Sequence, residues 1–313
     1  MNPTPIIYIA FNRPDVVART FPMICAQKPS VLYLIADGPR TNRSGEDLLC
    51  MQTRRLIESM ITWPCKIIKD YSDVNMGCGK RISSGLTRAF AELGEAIVLE
   101  DDILPHPDFF NFCSQQLSTH RDNSSIHSIS GFNPLNVYAG SGNAPVPTLF
   151  NWIWGWASWQ RSWKDYHFDI SSTWNSNQCK ADIREYIHND LNFHWHAENF
   201  DNLLLNHIDT WDFQWTFTML EQRRRSLVSP INLIENLGFD SKATHTNTAP
   251  AFAQGLVAAP LRIKGSYEDI GLTHDRMHDK LFGLLLRTDS IKRTKILRLM
   301  ARFPLVPRLS LSY

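Results

Sequence analysis

Ala96-Ile97-Val98-Leu99-Glu100-Asp101-Asp102-Ile103 decides how the rest of the chain is read. Its apolar half is too short for a helix and predicts a buried strand. Three consecutive carboxylates end that strand. Ile103-Leu104-Pro105-His106-Pro107 follows, and its two prolines hold the backbone extended or turned. Three acids at the carboxyl end of a buried strand repel one another unless a cation joins them. Open α/β sheets bind ligands at that end of their strands. The stretch is therefore either a divalent-metal site carrying a phosphorylated ligand or a solvated acidic turn.

Towards the amino terminus, Ile6 to Phe11 reads as a first buried strand, Asn12-Arg13-Pro14-Asp15 as a loop and Val16 to Ala26 as a helix. Val31 to Ala36 is a second strand, ending at Asp37-Gly38-Pro39. Residues 44 to 61 are read as a helix, with Leu48, Leu49, Met51 and Ile57 in its apolar period, and Cys65 to Lys69 as a short third strand. This alternation predicts βαβ units and a parallel sheet. Asp73 to Arg81 is a glycine-bearing loop with two cations, Lys80 and Arg81, before a helix over 82–93. Backbone N–H groups and cations at a helix entry can meet phosphates. The spacing fits neither the Walker loop nor Gly-x-Gly-x-x-Gly, and a plain helix entry is the alternative.

Towards the carboxyl terminus, a helix is expected over 107–120, a strand over 126–130 and a loop over 139–148. The block Phe150 to Ser158-Trp159 holds four of the ten tryptophans, and seven (Trp152, Trp154, Trp156, Trp159, Trp163, Trp174, Trp195) fall within fewer than fifty residues. Such a cluster is either core packing or a platform for flat apolar ligand faces. A helix is expected over 180–207; His194 and His196 within it would point apart. Another helix begins near Thr210-Trp211-Asp212, where Asp212 is either functional or a dipole-favoured helix-end carboxylate. His274 and His278 lack a third ligand nearby, which argues against a metal there. From Leu281 onward apolar residues alternate with Arg287, Lys292, Arg293, Lys295, Arg298 and Arg302. That segment is either a peripheral contact with an anionic membrane surface or partner helix, or a terminal helix packed on its own domain.

The 313 residues suffice for one large domain or two small ones, and a 43% hydrophobic, 20% charged composition is that of an ordinary soluble protein. The formal charge of +1 gives no basic footprint for nucleic acid. Six scattered cysteines without a Cys-x-x-Cys pair fit a reducing compartment. No signal-like amino terminus or membrane-spanning run is evident. A cytoplasmic protein is expected, with peripheral attachment to the inner face of the plasma membrane if the basic segment binds lipid.

Five patches in order — IAFNRP, IADGP, NMGCGKRISSGL, VLEDDILPHPDFF, and the later pair WIWGWASW and WDFQW…NLIENLGFDSKATHT — resemble glycosyltransferases of the GT-A fold over residues 5 to 248. The nearest likeness is to bacterial surface-polysaccharide transferases grouped with family-2 enzymes. A more distant one is to the N-acetylglucosaminyltransferase I type, which carries Glu-Asp-Asp as its Asp-x-Asp motif. The resemblance implies a Rossmann-like, mixed, mostly parallel sheet flanked by helices. It implies a catalytic domain over 1–250, with a nucleotide-sugar half at 1–135 and an acceptor half at 136–250, and a basic extension over 251–313. Asn12, Arg13, Asp37, Lys80 and Arg81 fall at nucleotide-sugar positions. Glu100 and Asp101 match residues near ribose and sugar, and Asp102 the direct metal ligand, with Mn²⁺ or Mg²⁺ implied. Trp154, Gly155, Trp156 and Trp211 fall where donor sugar and acceptor meet, Asp212 matches the base, and His245 a second metal or diphosphate contact. The implied donor is a UDP-sugar and the acceptor a glycan or lipid-linked saccharide.

The chemistry suits this implication. Departure of a sugar from diphosphate leaves charge that a carboxylate-held hard cation stabilises. One opposed base gives direct displacement with inversion. Two other readings stand beside it: a sugar-nucleotide nucleotidyltransferase, and a carbohydrate- or nucleotide-binding module without turnover.

Overall fold

The computed structural model describes residues 4–139, 144–239, 249–261 and 276–303. The amino-terminal half runs Ile6–Ala10 (β1), Pro14–Gln27 (α1), Val31–Ala36 (β2), Glu46–Met60 (α2), Lys66–Tyr71 (β3), Cys78–Leu93 (α3), Glu95–Glu100 (β4), Ile103–Pro105 (β5), Pro107–Thr119 (α4) and Ile126–Ser130 (β6). The remainder runs Val146–Thr148 (β7), Trp156–Trp159 (β8), Gln160–Trp163 (α5), Ser171–Trp174 (α6), Asn177–Ile187 (α7), Asp190–Leu205 (α8), Asp212–Glu221 (α9), Arg225–Val228 (β9), Ile234–Asn236 (β10), Arg276–Leu286 (α10) and Ile291–Ala301 (α11).

Eight strands form one sheet in the order β3-β2-β1-β4-β8-β6-β9-β7. Pairing is parallel from β3 through β4 and between β6 and β9, while β8 and β7 run antiparallel to their neighbours. This is the mixed, mostly parallel, helix-flanked sheet expected. Along β1, Ile6, Tyr8 and Ala10 join the core under α1 and α4, with Phe21 and Phe110. Ile7 and Ile9 join the opposite core under α3, with Leu86 and Phe90. Both faces are covered, so the period-two alternation of a strand appears in sequence as an unbroken apolar run.

Local punctuation explains most boundaries. Pro14 sits in the first turn of α1, where its missing N–H is lost by no hydrogen bond. Gly94, at φ 76°, ends α3. The single helix expected over 180–207 is two, because His188 turns left-handed at φ 50° and the Asn189 side chain caps α8 by accepting from the Asn192 N–H. The buried face of α2 is Glu46, Cys50, Thr53 and Ile57, and Leu48, Leu49 and Met51 face outward. Packing against α1 sets this face, and the apolar period read from sequence had it partly reversed.

The tryptophan cluster is largely core. Trp156, Trp163, Trp211 and Trp215 are buried together on the α3 side of the sheet, with Trp156 stacked on Trp211 at 5.7 Å between ring centroids. Among the described residues the carboxyl-terminal helices share a core with the sheet domain. Leu281, Phe282, Leu285 and Ala301 share one cluster with Leu135, Tyr138, Val146 and Phe150. No helix among the described residues is long and apolar enough to cross a membrane.

Candidate active site

A cavity of about 510 Å³ opens at the carboxyl ends of β1, β2 and β4. That is where the chain, having placed β2 on one side of β1 and β4 on the other, makes a topological switch. Its wall includes Phe11 and Arg13 after β1, Asp37 after β2, Cys78 and Arg81 at the start of α3, and Glu100, Asp101 and Asp102 around the end of β4. Arg40, Trp154, residues 208–213, and Asn236, Gly238 and Phe239 are also on it.

The three acids divide into different roles. Arg13 lies between Asp101 and Asp102, pairing with the first and donating to Asp102 Oδ2 at 3.0 Å. Asp101 also accepts from the Phe11 N–H at 3.3 Å, and its own carbonyl accepts from the Thr20 hydroxyl at 2.7 Å. Burial pushes the Asp101 carboxyl up against the opposing pull of Arg13. Glu100 is pushed well above the ordinary carboxylate range by burial, then by Asp102, Asp101 and Asp212, and its buried Oε1 has no hydrogen-bond partner. For Arg13 burial works against the charge, but the two carboxylates outweigh it and hold the guanidinium firmly protonated.

The neighbourhood of Asp102 is completed from far along the chain. β10 pairs antiparallel with β5, setting Asn236 opposite Ile103, and the Leu237 N–H donates to the Asp102 carbonyl at 2.9 Å. Gly238 then passes so close that any Cβ there would overlap the Asp102 carboxylate. Both fall within the NLIENLGFDSKATHT patch, but neither is among the residues to which the resemblance gives a role.

Several residues expected at the nucleotide are engaged in holding the wall. Asp37 accepts from the N–H groups of Gly38, Met76 and Gly77 and from Asn75 Nδ2, and so folds the loop before α3. Arg81 is buried, donates to the Ala36 and Asp70 carbonyls and pairs with the Asp70 carboxylate. Asn12 is off the cavity wall and donates to Glu46, which also binds Arg40. Lys80 is exposed and off the wall. Asp209, which no sequence pattern singled out, accepts from the Cys78 and Gly79 N–H groups at 2.9 Å each, capping α3 from 131 and 130 residues away.

Asp212, also on the cavity wall, is the first residue of α9, half-buried, where the helix dipole favours negative charge. The Thr210 hydroxyl donates to its Oδ1. Thr210 and Trp211 are in turn held through their carbonyls by Gln214 Nε2 at 2.9 Å and the Tyr166 hydroxyl at 3.2 Å. Trp154 lies on the wall, stacked on Phe252 at 6.0 Å between centroids and edge-on to Phe239. Trp211 also borders the cavity but is nearly fully buried. Gly155 and Trp156 are not on the wall: Gly155, at φ 66°, turns the chain into β8, and Trp156 is 0% exposed in the core. Close packing against Phe90, Trp163, Trp211 and Trp215 leaves its indole no face for a sugar. His245 lies outside the described residues, as does His274.

Among the described residues no group of three His, Cys, Asp or Glu side chains could hold a metal ion alone. The donor chemistry still fits a hard cation of shared ligation: Asp102 borders the cavity, and Glu100 presents a buried, unpartnered oxygen beside it.

No family model matches the chain, and no curated protein does. Solved structures with partial likeness include residues 1–349 of TarS from S. aureus, at TM-score 0.45 and 11% identity over 76% of this chain and 61% of that one. The chain thus spans about three-fifths of that TarS structure. The mannosyltransferase PcManGT from Pyrobaculum calidifontis, in complex with GDP-Man and Mn²⁺, aligns at TM-score 0.38 and 12% identity over 71% of this chain and 74% of that one. A UDP-glucose pyrophosphorylase complexed with UDP-glucose aligns at 0.34 and 9%, over 72% and 90%.

Proposed function

We propose that the chain is a metal-dependent glycosyltransferase that moves a sugar from a nucleotide-sugar donor, a UDP-sugar, to a glycan or lipid-linked saccharide of a surface polysaccharide, with inversion. One observation carries this reading. One cavity at the strand ends is lined both by the acidic cluster Glu100, Asp101 and Asp102 and by a carboxylate from another element, the hydroxyl-braced Asp212. Transfer with inversion needs two such groups, one for the leaving diphosphate and one for the attacking hydroxyl on the opposite side of the sugar carbon.

Asp102, with Glu100 beside it, would hold Mn²⁺ or Mg²⁺, whose charge stabilises the departing diphosphate when bound. Arg13 keeps Asp101 and Asp102 apart in charge and fixed in position. Asp212 takes the proton from the acceptor hydroxyl as the new bond forms. Trp154, on the cavity wall, would offer apolar ring surface to the sugar and exclude water there.

The test is product analysis with UDP-sugars, Mn²⁺ and no acceptor. Slow release of free sugar and UDP, abolished by EDTA and restored by Mn²⁺, is expected. Formation of UTP on adding pyrophosphate would instead identify a nucleotidyltransferase, and tight binding with no product a binding module. A second prediction concerns Gly238. The colliding atom is the Oδ2 tip of the Asp102 side chain and not backbone, so Gly238→Ala is expected to fold while displacing that carboxylate from its contact with Arg13. Sugar release should fall on the order of 100-fold, the scale of a displacement near 1 Å at a reacting centre. Unchanged turnover at saturating Mn²⁺ would remove Asp102 from the metal role.

A further inference from the structure

The two carboxyl-terminal helices present a surface that the transfer chemistry does not use. Seven of the seventeen large hydrophobic side chains exposed among the described residues lie between Met277 and Phe303. Residues 276–303 carry eight Lys or Arg against two Asp, although the whole chain is only +1. The asymmetry is strong and local.

In α11 the inward face is settled by contacts. Thr294 and Ala301 are buried, and Leu297 packs on the cluster around Phe282. Arg298 donates to the carbonyls of Pro134, Phe252 and Gln254 at 3.0, 2.7 and 2.8 Å. With that face turned in, helical geometry turns Ile296, Leu299 and Met300 outward with Phe303 just beyond, at 49, 54, 41 and 63% exposure. Lys295 and Arg302 border this stripe on one side and Arg293 on the other. No acidic residue occurs from 291 to 303. The helix thus has a second apolar stripe, flanked by cations, in addition to the one it packs with.

We propose that this outer face of α11 docks on a bilayer bearing anionic headgroups. Apolar side chains at the acyl boundary with Lys and Arg at headgroup level are the arrangement that an interfacial helix requires. A second copy of the same face would bring like charges together over an acid-free surface, which disfavours self-association. The docked helix is also tied to the cavity. Arg298 holds the carbonyl of Phe252, whose ring stacks on Trp154 at the cavity wall. Docking needs neither donor nor metal, so it stands or falls separately from the proposed transfer.

The experiment is flotation of the full chain with phosphatidylcholine vesicles, with and without phosphatidylglycerol. Binding is expected only to the anionic vesicles, weakening steeply as salt rises. Each Lys or Arg near such a surface strengthens binding by a factor of about five. The triple variant Lys292→Gln, Arg293→Gln, Lys295→Gln should therefore partition about 100-fold more weakly. Ile296→Ser with Leu299→Ser should also weaken partition while keeping the salt dependence. Equal binding to neutral vesicles, no binding to either, or full binding by the triple variant overturns the proposal. So does concentration-dependent dimerisation that the same variants abolish. The salt series on the unaltered chain decides the matter even if a variant folds poorly.

Discussion

Asp212→Asn is expected to lose transfer by about 10²- to 10⁴-fold in kcat, the usual contribution of a positioned general base. Donor binding should be little changed. The substitution preserves shape, and the amide oxygen can still accept from the Thr210 hydroxyl, so α9 should start where it does now. What is lost is the capacity to take a proton. A fall in kcat with a steady donor KM marks an interaction used in the transition state rather than in binding. Thr210→Val is the companion: it removes the brace and leaves the carboxylate, so a smaller loss is expected. Wild-type transfer by Asp212→Asn would remove it as the base, and loss of UDP binding would show that it holds the donor instead.

The second large effect is on stability. Arg13→Met is expected to destabilise the fold by about 3–5 kcal/mol at neutral pH, the cost of breaking a buried pair and leaving its charge uncompensated. Asp101 is 4% exposed and Arg13 16%, so solvent screens this pair poorly. Glu100 and Asp101 are both raised by burial, and Arg13 lowers both. Carboxyls raised in the folded state bind more protons folded than unfolded, so the stability they cost grows as pH rises above the ordinary carboxylate range. Without Arg13 that cost is larger. The deficit of Arg13→Met should therefore be greater at pH 8 than at pH 5, read by urea unfolding without added divalent cations. A deficit that shrinks as pH rises would contradict the charge-balance role given to Arg13.

Much of this site lies where the sequence is self-explanatory. The runs of β1, β2 and β4 are buried on both faces, so each appears as an uninterrupted apolar stretch, and a charged residue at or just after each, Arg13, Asp37 and Glu100, borders the cavity. Other parts were illegible for physical reasons. Tryptophan suits both a ligand platform and a core, and only packing decides; Trp156 and Trp215 are core, while Trp154 borders the cavity. β8 is four residues long and inside that aromatic block, so neither length nor period announces it. Asp209 and Gly238 act on Gly79 and Asp102 from distant segments, and no local pattern records such a meeting. Asp37 and Arg81 fall at nucleotide positions by the resemblance, yet their hydrogen bonds go largely to backbone.

The antiparallel β8 also bears on synthesis. Strands β3, β2, β1 and β4 pair through short βαβ connections and are all present by residue 100. β4 then offers an open edge until Trp156–Trp159 arrives to cover it. β6 waits longer still for β9, as the hydrogen bond between Ser128 and Ser226 across 98 residues illustrates. Non-local pairing is slow and an unpaired edge invites wrong partners. A nascent chain halted between residues 105 and 155 is thus a half-sheet with one sticky side, and its yield should depend on chaperones far more than that of the finished protein.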